Sequence, residues 1–297
     1  MPVVSVIIPN YNHAPFLRQR IESVLAQTFQ DFEIILLDDC STDGSRELME
    51  SFRDDPHVSQ IVFNDENSGS AFRQWKKGSD LAKGEWLWIA ESDDWAEKTF
   101  LEEMLQAVER DSQCVLVSSI PCYVYPDSKT WHKEVDGETR VYQGCDFARQ
   151  RLVEGNSLPN VSALLVRRDA LRQIDFTVAE NMRLCGDWLL YVMLCAKGNV
   201  VEYSKVLSYF RQHGDNTSTE AEKEGLTLVE GVKVLDCITK MFDIPAKAYA
   251  RQWGRTWAKL ERKHHYSNNL RNKISQGLRK YPSVAFWHLL YKTKLAL

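Results

Sequence analysis

The chain reads as an α/β protein: a mostly parallel central sheet flanked by helices, followed by a C-terminal helical extension. Three observations predict this. Short apolar runs alternate with helical periodicity through the first half. The runs Val3-Val4-Ser5-Val6-Ile7-Ile8, Phe32-Glu33-Ile34-Ile35-Leu36-Leu37 and Trp86-Leu87-Trp88-Ile89-Ala90 are nearly continuous, as suits strands buried on both faces. Beyond Asn216 the strand signals stop and the sequence turns helical and then basic.

The elements follow in order. After the first strand, Pro9-Asn10-Tyr11-Asn12 makes a turn, and Phe16, Leu17, Ile21, Val24 and Leu25 then recur at helical spacings. The second strand ends at Leu37, and Ser41 to Asp43 offer caps for a helix carrying Leu48, Met49 and Phe52. A third strand is expected over 58–63, a helix over 71–82 and a fourth strand over 86–90. Phe100, Leu101, Met104, Leu105 and Val108 mark another helix, and 114–119 another strand. Short β–α connections imply right-handed crossovers. Later, strands over 161–166 and 206–210 flank a buried helix over 187–195. A boundary near Ser218 separates a domain of residues 1–218 from a basic helical extension, 219–297.

The bulk numbers narrow the class. Of 297 residues, 44% are hydrophobic and 26% charged, the balance of a soluble globular protein. The net charge of −4 conceals an asymmetry: from Lys247 onward twelve Lys and Arg face one acid, Glu261, so the tail carries +11 and the remainder −15. A basic tail on an acidic body calls for an anionic surface. Trp253, Trp257 and Leu260 share one helical face there, with Arg251, Arg255, Lys259 and Arg262 largely off it. That suits either an amphipathic element on anionic lipid or helices packed on the preceding domain. The seven cysteines are scattered and never spaced Cys-x-x-Cys, against a disulfide framework or structural zinc and for a reducing compartment. No run approaches the roughly 18 apolar residues that span a bilayer, and the chain opens directly on a strand. A cytoplasmic protein, peripheral on the inner face of the plasma membrane through its tail, is expected, with no nucleic-acid partner.

Two of the apolar runs stop on carboxylates: Asp38-Asp39 after the second strand, and Glu91-Ser92-Asp93-Asp94 after the fourth. In an open parallel sheet the ligand site lies beyond the carboxyl ends of the strands. Two acidic clusters at one edge repel unless a cation or a ring of donors lies between them, so the pattern calls for a divalent metal and a nucleotide.

The order and spacing of the motifs resemble the family 2 glycosyltransferases, inverting enzymes of the GT-A fold that use nucleotide-sugar donors. The matching pieces are Val6-Ile7-Ile8-Pro9-Asn10-Tyr11-Asn12, Ser23-Val24-Leu25-Ala26-Gln27-Thr28, Leu37-Asp38-Asp39-Cys40-Ser41-Thr42-Asp43-Gly44-Ser45, Glu91-Ser92-Asp93-Asp94, Gly186-Asp187-Trp188 and the segment from Tyr209 to Ser218. They cover residues 3 to about 218.

The resemblance implies a nucleotide site of Pro9, Tyr11, Asn12, Asp39, Arg73, Ser92, Asp93 and Arg211, with Asp39 accepting from a ring N–H of uracil or thymine. It implies Mn²⁺ or Mg²⁺ at Asp93, Asp94 and His213, where the family has an Asp-x-Asp motif. Asp187 is then the general base that takes the acceptor hydroxyl's proton, with helix capping as its other reading. A sugar would pass from a UDP or dTDP donor to a glycan or lipid-linked acceptor. Three positions depart from the family: Glu91 for the usual first Asp, Trp75 for an Arg or Asn, and Gly186 for a Glu before Asp187. They leave a catalytically degenerate sugar-nucleotide binder open, alongside a nucleotidyltransferase of related architecture.

Overall fold

The computed structural model describes residues 1–213 and 221–294. The expected boundary near Ser218, and the part of the last motif beyond His213, lie outside those residues. Ten strands form one sheet: β1 (Val4–Asn10), β2 (Phe32–Asp38), β3 (Val58–Phe63), β4 (Trp86–Ile89), β5 (Trp95–Ala96), β6 (Cys114–Val124), β7 (Thr130–Trp131), β8 (Thr139–Tyr142), β9 (Leu164–Arg167) and β10 (Asn199–Arg211). The main path runs β3-β2-β1-β4-β9-β6-β10-β5, with β7 on β6 and β8 on β10. Ladders β1–β2, β1–β4, β2–β3 and β6–β10 are parallel.

Alternation along the strands explains why they are apolar throughout. Val4, Val6 and Ile8 enter one core with Phe32, Ile34 and Leu36, while Ile7, Ile35 and Leu37 enter the core on the opposite face. The first core is closed by α1 (Ala14–Leu25) and α4 (Phe100–Val108), which contribute Leu17, Ile21, Phe100 and Met104. The second is closed by α3 (Ala71–Leu81), which supplies Phe72 and Trp75, and by a later helix described below. Ser5 and Glu33 are polar exceptions inside these strands, as Asn10 and Asp38 are at their ends. Ser5 and Glu33 bond to each other at 2.7 Å and take the backbone N–H groups of Gly84 and Lys83 at the lead-in to β4.

The second half differs from expectation in specific ways. Residues 161–163 form a turn of 3₁₀ helix and the strand begins only at Leu164, because β9 runs antiparallel between β4 and β6. The 3₁₀ turn presents Ser162, whose Oγ accepts from Glu91 N while its carbonyl accepts from Trp88 Nε1. The final strand is thirteen residues long and bulged, starting seven residues before the apolar run that announced it. The short strands β5, β7 and β8 had no readable signal, being two to four residues of mixed polarity.

After α2 (Ser45–Glu50), α5 (Gly144–Phe147), α6 (Arg168–Arg172) and α7 (Gly186–Cys195) come helices of the extension: α8 (Leu226–Met241), α9 (Ala250–His264), α10 (Asn268–Leu278) and α11 (Pro282–Lys294). They share a continuous core with the sheet domain: Leu228, Leu235, Trp253, Trp257 and Leu278 belong to the same buried cluster as Ile7 and Trp188. The aromatic face of α9 is therefore turned inward, and the packing reading of the tail holds for Trp253 and Trp257. Gly254 allows α11 to lie against α9; a Cβ there would sit 2.5 Å from Trp287 Cβ. Glu261, the one acid of the tail, is buried among Arg271, His288 and Lys292 at 3.0, 2.9 and 3.4 Å. All seven cysteines are free thiols. Among the described residues no helix is long and apolar enough to cross a membrane.

Candidate active site

The loops after β1 and β2 are stitched together by side chains. Asn12, in a left-handed conformation at φ 56°, donates its N–H to Ser41 Oγ (2.9 Å) and accepts from Thr42 N through Oδ1 (2.8 Å). Asp43 accepts from Ala14 N at 2.8 Å, the first residue of α1. This leaves Tyr11 at the tip, half exposed. Asp38 is structural: it is fully buried and accepts from Ser41 N and Arg46 Nε. Asp39 turns the other way. Its Oδ1 accepts from Asn64, Ser68 N and Gln74, whereas Oδ2 takes only the Ser68 hydroxyl (2.7 Å), so one carboxylate edge keeps acceptor capacity toward the cleft.

The acidic motif after β4 is crowded, and the crowding is visible in its charges. Burial pushes Glu91 up to about 8, reinforced by Asp93, and Asp94 up to about 7 for the same two reasons. Burial would also raise Asp93, but hydrogen bonding to His213 and the nearby His13 outweigh it, and Asp93 stays below the usual carboxylate range. Beneath the motif, the fully buried Arg20 of α1 donates to the Glu91 carbonyl and approaches Asp94 to 4.0 Å. Burial lowers it to about 10, so it remains a fixed positive charge.

The ligand atoms of His13, Asp93 and His213 lie within 4.8 Å of one another. His213 Nε2 sits 3.0 Å from Asp93 Oδ2, and His13 Nδ1 2.9 Å from Ser92 Oγ. Asp94 is not in this group. Its carboxylate accepts from Arg211 N (3.0 Å) and Asn160 Nδ2 (2.8 Å). His13 is in the group; the residue stands directly after Asn10-Tyr11-Asn12, and nothing in the sequence linked it to the distant acidic motif.

Asp187 lies in the first turn of α7, not at its cap. Its Oδ1 accepts from Trp188 N and Oδ2 from Asn156 Nδ2 (2.8 Å). Burial pushes its carboxyl up to about 7. The backbone N–H groups before the helix are satisfied by Glu230 of α8: Oε1 accepts from Arg183 N, and Oε2 from Leu184 N and Cys185 N, each at 2.9 Å. The extension thus holds the segment that presents Asp187. Sequence reasoning missed Glu230 because the contact spans about 45 residues and the residue sits mid-helix among ordinary helix formers.

One cleft of about 920 Å³ is lined by Pro9, Tyr11, Asn12, Asp39, Ser92, Asp93, Asp94, His213 and Asp187. Two expected residues do not line it. Arg73 is exposed, donating to Ser68 O and lying 3.5 Å from Asn181 Oδ1. Arg211 is sandwiched between Phe16 and Trp95, 4.7 and 4.5 Å from the ring centroids, and donates to the Asp93 carbonyl at 2.8 Å. That bond ties it to the acidic motif.

A mixed, mostly parallel sheet with an acidic motif and a nucleotide-sized cleft beyond its strand ends defines a GT-A type nucleotide-sugar transferase. The chain belongs to glycosyl transferase family 2, whose family model matches residues 5–175. Glycosyltransferase GlyG of Streptococcus pneumoniae is 28% identical over 260 residues, covering 82% of this chain and 83% of that protein. Chondroitin synthase of Escherichia coli is 26% identical over 219 residues, 73% of this chain and 30% of that one. Among solved structures, S. aureus TarS 1-349 in complex with UDP-GlcNAc superposes with a TM-score of 0.74 at 17% identity, over 96% of this chain and 82% of that chain. The mannosyltransferase PcManGT of Pyrobaculum calidifontis, with GDP-Man and Mn²⁺, gives 0.60 at 16% identity, over 99% and 80%. The protein is a glycosyltransferase.

Proposed function

We propose that this glycosyltransferase is inverting, uses a UDP- or dTDP-sugar with a divalent metal, and employs Asp187 as its base. The observation that carries the reading is a single cleft lined at once by Tyr11, Asp39, Asp93, His213 and Asp187. At one end, Tyr11 offers a ring face to a base, and the spare acceptor edge of Asp39 suits the ring N–H of uracil or thymine. The nucleotides named for the structural neighbours, UDP-GlcNAc for TarS and GDP-Man for PcManGT, span both alternatives. The choice here therefore rests on Asp39.

His13, Asp93 and His213 would hold the metal. Two imidazoles and one carboxylate suit Mn²⁺ better than Mg²⁺, which prefers an all-oxygen shell. When bound, such an ion supplies charge neutralisation for a departing nucleoside diphosphate. At the other end, Asp187 takes the proton of the acceptor hydroxyl as the new bond from that oxygen to the sugar's anomeric carbon forms. The bond from that carbon to the diphosphate oxygen breaks with its electron pair leaving on the diphosphate, which inverts the anomeric centre.

The acceptor is a glycan or a lipid-linked saccharide. Peripheral contact with an anionic membrane at the inner face of the plasma membrane is supported by the +11 tail and by Phe286 and Leu289 of α11, both more than 60% exposed. A domain division near Ser218 is kept as an organisational proposal, with α8 to α11 as the extension.

The test is a panel of nucleotide sugars screened for thermal stabilisation with and without Mn²⁺, followed by turnover with the best donor. UDP or dTDP should bind more tightly than ADP or GDP, and only with metal. Equal purine binding would remove the base pocket, and metal-independent binding would remove the metal.

A further inference from the structure

Beside the donor cleft lies a second cavity of about 240 Å³, between the sheet domain and the extension. The two share Pro159, Leu184 and Asp187, so they adjoin at Asp187. Trp188 of α7 and Trp253 of α9 also line it, their rings nearly parallel at 15° with centroids 5.8 Å apart. Both indole nitrogens are spent on the backbone, Trp188 on Leu152 O at 3.0 Å and Trp253 on Val153 O at 2.9 Å. What they offer the cavity is apolar ring surface in a fixed orientation. Thr227 and Thr256, from two helices of the extension, add hydroxyls and are only partly buried.

We propose that this cavity is the acceptor subsite and that it takes a neutral pyranose ring. The inference rests on Asp187 being the base. Size sets the first limit: the volume falls below the roughly 300–1,000 Å³ of pockets for drug-sized ligands, and suits one ring. Surface chemistry sets the second. A pyranose has a C–H-rich face that packs on indole and a rim of hydroxyls that threonines can meet. Charge sets the third. Among the described residues the lining includes Glu154 and Asp187 but no Lys, Arg or His, so a phosphate would be buried without a counter-charge, at high cost. A ring held here has its edge at Asp187, where the cavity meets the donor cleft. The extension then shapes acceptor choice while the sheet domain binds the donor.

The test uses the full chain with saturating UDP and Mg²⁺, a diamagnetic substitute for Mn²⁺, and saturation-transfer NMR with methyl glycosides of neutral hexoses and N-acetylhexosamines, beside decyl phosphate as an anionic amphiphile. At least one glycoside should receive saturation, and Thr227→Trp and Thr256→Trp, each filling the cavity from a different helix, should weaken it on the order of tenfold. UDP titration on the same samples should be unchanged. The proposal fails if no glycoside binds the wild type, if decyl phosphate alone binds, or if both filled variants bind glycoside normally. It also fails if both filled variants lose UDP binding, which would make the cavity a structural joint. The underlying reading is tested separately. Asp187→Asn should keep both ligands and lose turnover; retained turnover would overturn the base assignment while leaving the cavity result intact.

Discussion

The indole nitrogen of Trp75 donates a 2.8 Å hydrogen bond to Oε1 of Glu91, joining two of the three positions at which this chain departs from its family's pattern. The third departure belongs to the same arrangement. A Cβ on Gly186 would lie 2.4 Å from the ring of Phe72, and that ring packs edge-on against Trp75 with centroids 5.0 Å apart. The absent side chain at 186 leaves room for Phe72, Phe72 backs Trp75, and Trp75 reaches the longer carboxylate of Glu91. Three changes that looked like separate losses form one packed wall of the cleft, and this weakens the reading of a degenerate binder.

That wall should behave as a coupled unit. Gly186→Ala should destabilise the protein by about 1–3 kcal/mol through overpacking, and Phe72→Leu should recover part of it in the double mutant. Trp75→Phe should cost a further ~1–3 kcal/mol by leaving a buried carboxyl without its donor. Urea unfolding of the single and double mutants measures this. Strictly additive effects of Gly186→Ala and Phe72→Leu would show that the two positions are independent.

Glu230 is a positioning residue for Asp187. Glu230→Gln loses one of two acceptor oxygens and turns an amide donor toward the N–H groups of residues 183–185. Amide hydrogen exchange at 183–185 should accelerate and kcat should fall, while UDP affinity stays within about twofold because the base pocket is untouched. Unchanged exchange at these amides would refute the role.

The sheet, and with it the strand-end positions of the acidic motifs, was legible because local sequence determines them. Strands buried on both faces announce themselves as apolar runs, and Asp39 and Asp93 stand at strand ends where chain topology puts ligands. What stayed hidden depends on contacts across the fold. That Asn160 and Arg211 N take the Asp94 carboxylate while His13 comes near Asp93 is encoded by no spacing. Arg211 resembled a phosphate ligand by motif, and its place between the Phe16 and Trp95 rings is likewise set across the fold. The tail's aromatic stripe was equally consistent with lipid and with protein; Trp188 and the Val153 carbonyl took Trp253.

Asp93→Ala and His13→Ala should each remove the Mn²⁺-dependent part of UDP binding, on the order of tenfold or more, without unfolding the chain. Adding EDTA to the wild type should have the same effect. Calorimetric titration of UDP with and without Mn²⁺ decides it. If His13→Ala keeps full metal dependence while Asp93→Ala loses it, the metal is held without His13.

Asp187→Asn separates catalysis from architecture, because Glu230 already satisfies the backbone ahead of α7. Asn keeps an oxygen for Trp188 N but cannot take a proton, so turnover should fall on the order of a hundredfold or more. The pH dependence gives a second readout. With its carboxyl pushed up to about 7, the wild type should lose activity as pH falls below neutrality, since only the carboxylate accepts the proton. Stability moves in the opposite sense. A carboxyl raised in the folded state stabilises the fold below its unfolded value and loses that contribution as pH rises through about 7. Asp187→Asn should therefore become progressively more stable relative to wild type from pH 4 to pH 7. Thermal unfolding and turnover of both proteins across that range measure the two trends. A stability difference that does not vary with pH would mean that the folded-state carboxyl titrates normally, and near-wild-type turnover would mean that the base lies elsewhere.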